Sequence, residues 1–190
     1  QFSEIYDGET QDFTAAPAAP QSAKLFDYGF DTIIGQENEP VRCLQRLPVV
    51  REFTAPNGEH LFDFGQNLTG WVEVEIYGEP GQQLTLRHAE SLDENGNFYT
   101  ENLSWAKATD TYILSGGKQI LHPHFTWHGF RYLSVEGLQY GQNVQFTACH
   151  LSTDLQQTGI FTCSDKRVNR LQQNIQWSQR DNFVDIPTDC

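Results

Sequence analysis

Residues 71–88 constrain the fold most strongly. In Trp71-Val72-Glu73-Val74-Glu75-Ile76-Tyr77, apolar side chains alternate with glutamates. After Gly78-Glu79-Pro80-Gly81, the run Gln82-Gln83-Leu84-Thr85-Leu86-Arg87-His88 alternates again, with Leu84 and Leu86 inward. A period of two places Val72, Val74 and Ile76 on one face of a strand and Glu73 and Glu75 on the other, which is the pattern of a half-buried strand. The short turn between the two runs predicts that they pair as a β-hairpin.

Comparable signals fill residues 47–152. Leu61-Phe62-Asp63-Phe64, Asp110-Thr111-Tyr112-Ile113-Leu114, Phe130-Arg131-Tyr132-Leu133-Ser134-Val135 and Val144-Gln145-Phe146-Thr147-Ala148 are strand-like. Turn signals stand at Asn57-Gly58, Asn95-Gly96 and Ser115-Gly116-Gly117. Six or more strands without an intervening helix predict a mainly β protein, an antiparallel β-sandwich. Hydrophobic residues make up only 38% of the chain, but 13 Phe, 7 Tyr and 4 Trp supply a large aromatic core.

The flanks read differently. Phe2–Asp7 suits a short strand, and Ala15-Ala16-Pro17-Ala18-Ala19-Pro20 reads as a linker or extended loop. A boundary falls between Pro40 and Pro48, giving expected segments 1–46, 47–155 and 156–190. In the last segment Ser164 suits an N-cap and Asp165 the first helical turn. Val168, Leu171 and Ile175 recur at helical spacing. One C-terminal α-helix is expected over 165–180, followed by an extended Phe183–Pro187. A lone amphipathic helix cannot bury its own stripe. The stripe is expected to pack on the sandwich or on a further domain, and to drive self-association if that domain is missing.

Acidic residues outnumber basic ones 25 to 12, a net charge of −13. Nucleic acid and anionic membranes need a basic face, so neither is expected as a partner. No apolar run approaches the ~20 residues of a membrane span. Met is absent even at position 1, so the chain is expected to begin inside a longer protein. Cys43, Cys149, Cys163 and Cys190 form no CxxC; they read as reduced thiols rather than a zinc ribbon or disulfide framework. GxGxxG and GxxxxGK[ST] are both absent, and no cofactor is expected.

Several groups could carry chemistry. His122-Pro123-His124, with His128 beyond, resembles a metal cluster, but no carboxylate or Cys supports it nearby, and the reading taken is a His-rich strand edge with no metal. His88 and Glu90 of Arg87-His88-Ala89-Glu90 share a strand face and could orient an imidazole, yet GxSxG is missing and a structural cross-strand pair is the expectation. Trp71, Trp105 and Trp127 could stack on sugar rings or serve the core. Asp93-Glu94-Asn95-Gly96-Asn97 is oxygen-rich enough for calcium or simply a solvated turn. Paired carboxylates could hydrolyse glycosides, but 25 acids leave the pair undefined.

Several blocks together carry a family resemblance. Phe62-Asp63-Phe64-Gly65-Gln66-Asn67 with Gly70-Trp71-Val72, Leu86-Arg87-His88-Ala89-Glu90, Tyr99-Thr100-Glu101-Asn102-Leu103, Ala108-Thr109-Asp110-Thr111-Tyr112 and Phe125-Thr126-Trp127-His128-Gly129-Phe130-Arg131-Tyr132 resemble, in order, the β-sandwich domain of bacterial α-L-rhamnosidases (glycoside hydrolase family 78). Trp127 stands where another aromatic is common. Glu4-Ile5-Tyr6-Asp7 is similar to the end of the family's preceding N-terminal β-domain, and Pro40-Val41-Arg42 to the joining segment. Thr158-Gly159-Ile160-Phe161, Asn169-Arg170-Leu171, Asn174-Ile175 and Asn182-Phe183 resemble the start of its catalytic (α/α)6 barrel.

The resemblance implies a concanavalin-like or jelly-roll sandwich and an inverting hydrolase of terminal α-L-rhamnosides. Pro187-Thr188-Asp189-Cys190 is similar to the opening of the catalytic stretch, which implies that Asp189 helps hold the rhamnose hydroxyls. It also implies that the general acid and general base lie beyond Cys190, leaving no catalytic residue in this chain. The expected partners are the rhamnoside, through the parent enzyme, and the intramolecular barrel. Taken with reduced thiols, it favours the cytoplasm over secretion. The alternative function is a non-catalytic carbohydrate-binding module.

Overall fold

A 19-residue strand, His60–Gly78, organises the molecule. The computed structural model describes residues 1–190 apart from 17, 18, 28, 189 and 190; part of the Ala15–Pro20 stretch therefore lies outside the described residues. In chain order the strands are β1 (Phe2–Glu4), β2 (Gly8–Asp12), β3 (Val41–Pro48), β4 (Arg51–Thr54), β5 (His60–Gly78), β6 (Gln83–Ala89), β7 (Ser91–Leu92), β8 (Phe98–Tyr99), β9 (Thr109–Ile113), β10 (Gly117–Leu121), β11 (His128–Glu136) and β12 (Val144–Thr153). The helix α1 (Lys166–Asn182) follows, then β13 (Phe183–Val184) and β14 (Ile186–Pro187).

The main sheet runs β1-β2-β9-β6-β11-β5-β12-β3, with β4 and β10 also on β5. The first half of β5 pairs with β4 and β11, as in Arg51↔Asp63 and Phe130↔Leu68. Its second half pairs with β12 and β10, as in Phe146↔Val74 and Ile120↔Glu75. The sheet therefore turns over along β5, and its two halves close on one core in the manner of a sandwich. Phe62, Phe64, Leu68, Val72, Val74 and Ile76 of β5 meet Leu84, Leu86, Tyr112, Phe130, Leu133 and Phe146 there. The pairing is antiparallel except between β2 and β9, which run parallel. Strands drawn from 1–46 thus join the same sheet: β2 lies on β9, and β3 begins at Val41 on β12.

The runs at 71–77 and 82–88 are both strands, but they do not form the expected hairpin. β6 pairs with β9 and β11, not with β5. The turn carries the chain from one half of the sandwich to the other, so Val72, Val74 and Ile76 meet Leu84 and Leu86 in the core rather than along a shared ladder. Alternation specifies the buried face of a strand; it does not specify the neighbour that takes its hydrogen bonds. Here both edges of that half of β5 are taken by β12 and β10.

The pairing of β5 with β11 shifts register between Asp63 and Leu68. Gly65 sits at φ +77°, a conformation L side chains rarely adopt. Its N–H donates to Asp63 Oδ1 at 2.7 Å. At Gly70 an added Cβ would overlap the Cys149 carbonyl oxygen, so glycine lets the strands approach there.

α1 matches the expected helix, with one change at its start. Asp165, not Ser164, is the N-cap; its carboxylate accepts from Arg167 N–H at 2.8 Å. Val168, Leu171 and Ile175 stay 40%, 56% and 52% exposed. Contact with the sandwich comes instead through Trp177, which reaches the core cluster and lies 4.9 Å from the His150 ring. Among the described residues no helix is long and apolar enough to cross a membrane.

Candidate functional site

Asp189 lies outside the described residues, but the segment leading to it is pinned to the sandwich at several points. Thr69 of β5 donates its hydroxyl to the Asp181 carbonyl at 2.8 Å and its N–H to Asp181 Oδ1 at 3.2 Å. Ser152 of β12 donates to the Arg180 carbonyl at 2.8 Å. Thr153 Oγ accepts from Asp185 N–H at 2.9 Å, and Asp185 takes φ +72° in the turn between β13 and β14. Thr188 N–H donates to the Asn182 carbonyl at 2.8 Å. His150, fully buried, holds Nε2 3.2 Å from Asp181 Oδ1. The end of α1 is therefore held by the middle of β5 and the last residues of β12.

Next to Thr69 on β5 the chain presents a polar hub. Glu90 Oε1 accepts from Asn67 Nδ2 at 3.0 Å, and Oε2 accepts from Asn102 Nδ2 at 3.3 Å. Gly129 approaches the same carboxylate, near enough for a Cβ to touch it. Glu90 is exposed, whereas His88 is buried. The two do not pair as their shared-face spacing suggested, because β6 ends at Ala89 and the chain turns Glu90 outward.

His88 instead joins a buried cluster with Asp110 and His128. His128 Nε2 lies 3.2 Å from each Asp110 oxygen, and His88 Nε2 lies 3.9 Å from Oδ2. The Glu9 N–H donates to Asp110 Oδ1 at 3.0 Å. Burial, followed by the neighbouring His128, pushes the His88 imidazole down to about 3, so it is neutral. Burial works against ionisation of Asp110, yet the His128 hydrogen bond and charge hold its carboxyl below the usual range. The partner of His88 comes from β9, 22 residues on, which sequence proximity could not reveal. The only available signal was that His88, Asp110 and His128 each stand inside one of the recognisable blocks.

The same holds for a second pair. Arg131 Nε and Nη2 donate to the two Asp63 oxygens at 2.8 and 2.9 Å, a fork that joins the first block to the last. Burial would raise the Asp63 carboxyl, but Arg131 and the Gly65 N–H hold it low.

The other candidates fall into place. His122 and His124 are in the loop before β11, their rings 5.2 Å apart; His128 points elsewhere, to Asp110. Trp71 is stacked on His122 at 5.2 Å, and Trp105 meets Tyr6 edge-on at 4.7 Å, while exposed. The Asp93 carboxylate is consumed by its own turn, accepting from Asn95 N, Asn97 N and Asn97 Nδ2. Cys43, Cys149 and Cys163 are free, and burial pushes the Cys149 thiol up to about 12, far from a nucleophile. A groove of about 830 Å³ beside β4 and β12 contains one carboxylate, Glu52, 2.8 Å from His60 Nε2. A groove of about 680 Å³ beside α1 contains Glu39 and Asp154, the latter paired with Arg42 at 3.4 Å.

These features define a class: a β-sandwich whose last long strand, β12, leads through residues 154–165 into the helix α1. The family model for the bacterial alpha-L-rhamnosidase concanavalin-like domain matches residues 53–152, and that for the bacterial alpha-L-rhamnosidase 6 hairpin glycosidase domain matches residues 156–190. The chain belongs to the bacterial α-L-rhamnosidase family. It is similar to an α-L-rhamnosidase of Streptomyces avermitilis, 39% identical over 98% of this chain and 19% of that protein. Among solved structures, the native α-L-rhamnosidase of Aspergillus terreus superposes with a TM-score of 0.86 at 36% identity, covering 99% of this chain and 23% of that one. The Streptomyces avermitilis enzyme complexed with L-rhamnose gives 0.77 at 39% identity, over 83% and 16%. The chain spans about a fifth of the length of the curated relatives it matches.

Proposed function

We propose that this chain is the accessory β-sandwich and the opening helix of an α-L-rhamnosidase, an enzyme that hydrolyses terminal α-L-rhamnose from rhamnosides with inversion. The observation that carries this reading is the consecutive match of two rhamnosidase domains, at 53–152 and 156–190. The relative solved with L-rhamnose supports the substrate class. In this reading residues 1–46 are the end of a preceding β-domain and its linker, with β1, β2 and the start of β3 added to the edges of the sandwich sheet, 47–155 form the body of the sandwich, and 156–190 begin the (α/α)6 barrel.

Inversion needs one protonated carboxyl at the leaving oxygen and a second, roughly 6.5–9.5 Å away, to activate water. The buried carboxylates among the described residues are already committed. Asp63 is held by Arg131, Asp110 by His128, and Glu9 by Gln11 and the N–H groups of His124 and Phe125. In this reading the general acid and base belong to residues beyond Cys190. Asp189, at the edge of the segment pinned by Thr69, Ser152 and Thr153, contributes to holding rhamnose. The sandwich acts as a brace: its contacts with the end of α1 fix where the catalytic stretch begins.

The test uses a chromogenic α-L-rhamnoside. The 190-residue chain is expected to give no turnover, and the same chain extended through a complete barrel is expected to be active. Turnover by the short chain would overturn the assignment of acid and base. A saturable change in tryptophan fluorescence on titrating the short chain with L-rhamnose would favour a binding module instead of a brace.

A further inference from the structure

We propose that His88, Asp110 and His128 form a buried binding site for one divalent transition cation of the zinc class. Their ligand atoms all lie within 4.8 Å of one another, and all three residues are buried. The argument begins with the tautomer of His88. Its Nδ1 lies 2.8 Å from the Ala108 carbonyl, which can only accept, so the ring proton sits on Nδ1. Nε2 then carries a lone pair, is buried, and has no hydrogen-bond partner. That lone pair lies 3.9 Å from an Asp110 oxygen, itself an acceptor. Asp110 takes hydrogen bonds from His128 and the Glu9 N–H, but the His88 lone pair faces no donor, and a buried acceptor left so is costly.

A cation removes that cost. Imidazole nitrogens with one carboxylate are a donor set that zinc accepts, with arms of about 2.0–2.2 Å. Two such arms at a tetrahedral angle hold their tips about 3.4 Å apart. The 3.2 Å separations between His128 Nε2 and the Asp110 oxygens, spanned by a hydrogen bond when no metal is bound, are close to this; on binding, His128 keeps its one ring proton on Nδ1 so that Nε2 can ligate, and the 3.9 Å separation at His88 needs a small closure. The surroundings also have the form that metal ligands require. The His88 Nδ1–H donates to a carbonyl and the Glu9 N–H donates to Asp110, which orients both ligands from behind. On the same face of β9, two residues from Asp110, the Tyr112 hydroxyl is also buried without a partner. The site ties β6, β9 and β11 together, and because it is closed its role is structural rather than hydrolytic.

The experiment uses the full chain, unfolded and refolded either with equimolar zinc or in zinc-free buffer, so that slow entry into a closed site is not mistaken for absence. One zinc per chain after dialysis is expected, with a higher melting temperature than the metal-free protein. Cobalt in place of zinc is expected to give the intense visible bands of a tetrahedral nitrogen–oxygen site, without thiolate charge-transfer bands. His88→Gln and Asp110→Asn are expected to lose the metal, whereas the double variant His122→Gln/His124→Gln keeps it. If the two buried variants do not fold, the cobalt spectrum of the parent decides. Zinc below one-tenth equivalent after refolding, a thiolate-type spectrum, or loss of metal on changing His122 and His124 would overturn the proposal, leaving a water or an empty gap between His88 and Asp110.

Discussion

β5 and α1 are nearly equal in length, 19 and 17 residues, and both carry an apolar stripe. Yet β5 buries Phe62, Phe64, Leu68, Val72, Val74 and Ile76, while α1 has no buried residue at all. The strand is paired on both edges and covered by the other half of the sandwich. The helix is fastened by polar contacts at its end and by Trp177, with Val168, Leu171 and Ile175 left in solvent. An amphipathic pattern states what an element can bury; only the presence of a complementary surface turns the pattern into stability.

That contrast can be broken or sharpened by measurement. The largest effect is expected at the centre of the sandwich. Phe130 is fully buried, and Phe130→Ala should lower the unfolding free energy by about 3–5 kcal/mol in urea titrations. Leu171→Ala, on the exposed stripe, should change it by less than about 0.5 kcal/mol. Equal costs at the two positions would erase the distinction between the regions.

A smaller effect is expected at the Asp63–Arg131 fork. A carboxyl held below its unfolded value stabilises the fold above that value, about 3.9 for Asp, and loses the contribution as pH falls through the folded value. Asp63→Asn should therefore cost about 1–2 kcal/mol at neutral pH, discounted because Arg131 is partly exposed. It should also flatten the acid arm of a stability–pH curve below about pH 4. An unchanged acid arm would show that other carboxylates dominate.

Smaller again is the peg under the helix. Thr69→Val removes the hydroxyl bond to the Asp181 carbonyl and should cost about 0.5–1.5 kcal/mol. Hydrogen exchange should quicken in the last turns of α1 while β5 and β12 stay protected; uniform loosening would mean that helix and sandwich unfold as one. Least of all for stability is Leu171→Lys, expected within about 0.5 kcal/mol of the parent. Its visible effect should be on light scattering, where loss of the apolar stripe lowers self-association; unchanged scattering would exclude that face as the contact.

Much of the architecture was legible along the chain. The strands at 71–77, 82–88, 110–114 and 130–135 and the helix after residue 164 follow from periodicity, because side-chain direction is a local consequence of backbone geometry. The cap falls one residue after Ser164, at Asp165, since Ser and Asp serve equally well and only the backbone angles choose between them. The pairing of the candidate residues was harder. Strand spacing pairs His88 with Glu90, but strand β6 stops between them. The spacing of His122 and His124 suits a strand edge, but they occupy a loop in which Pro123 stands between them.

The sequence by itself determined which faces are apolar, where the turns fall, and which blocks carry family-specific residues. The tertiary structure alone decided that the runs around Gly78-Glu79-Pro80-Gly81 oppose each other across the core instead of pairing. It also decided that Asp63 meets Arg131, that Asn67 and Asn102 meet Glu90, and that Asp110 meets both His88 and His128. The physical reason is range. Burial preference is written residue by residue, whereas hydrogen bonds and ion pairs across a sandwich depend on which strands become neighbours, and that is settled only when every edge competes for a partner at once.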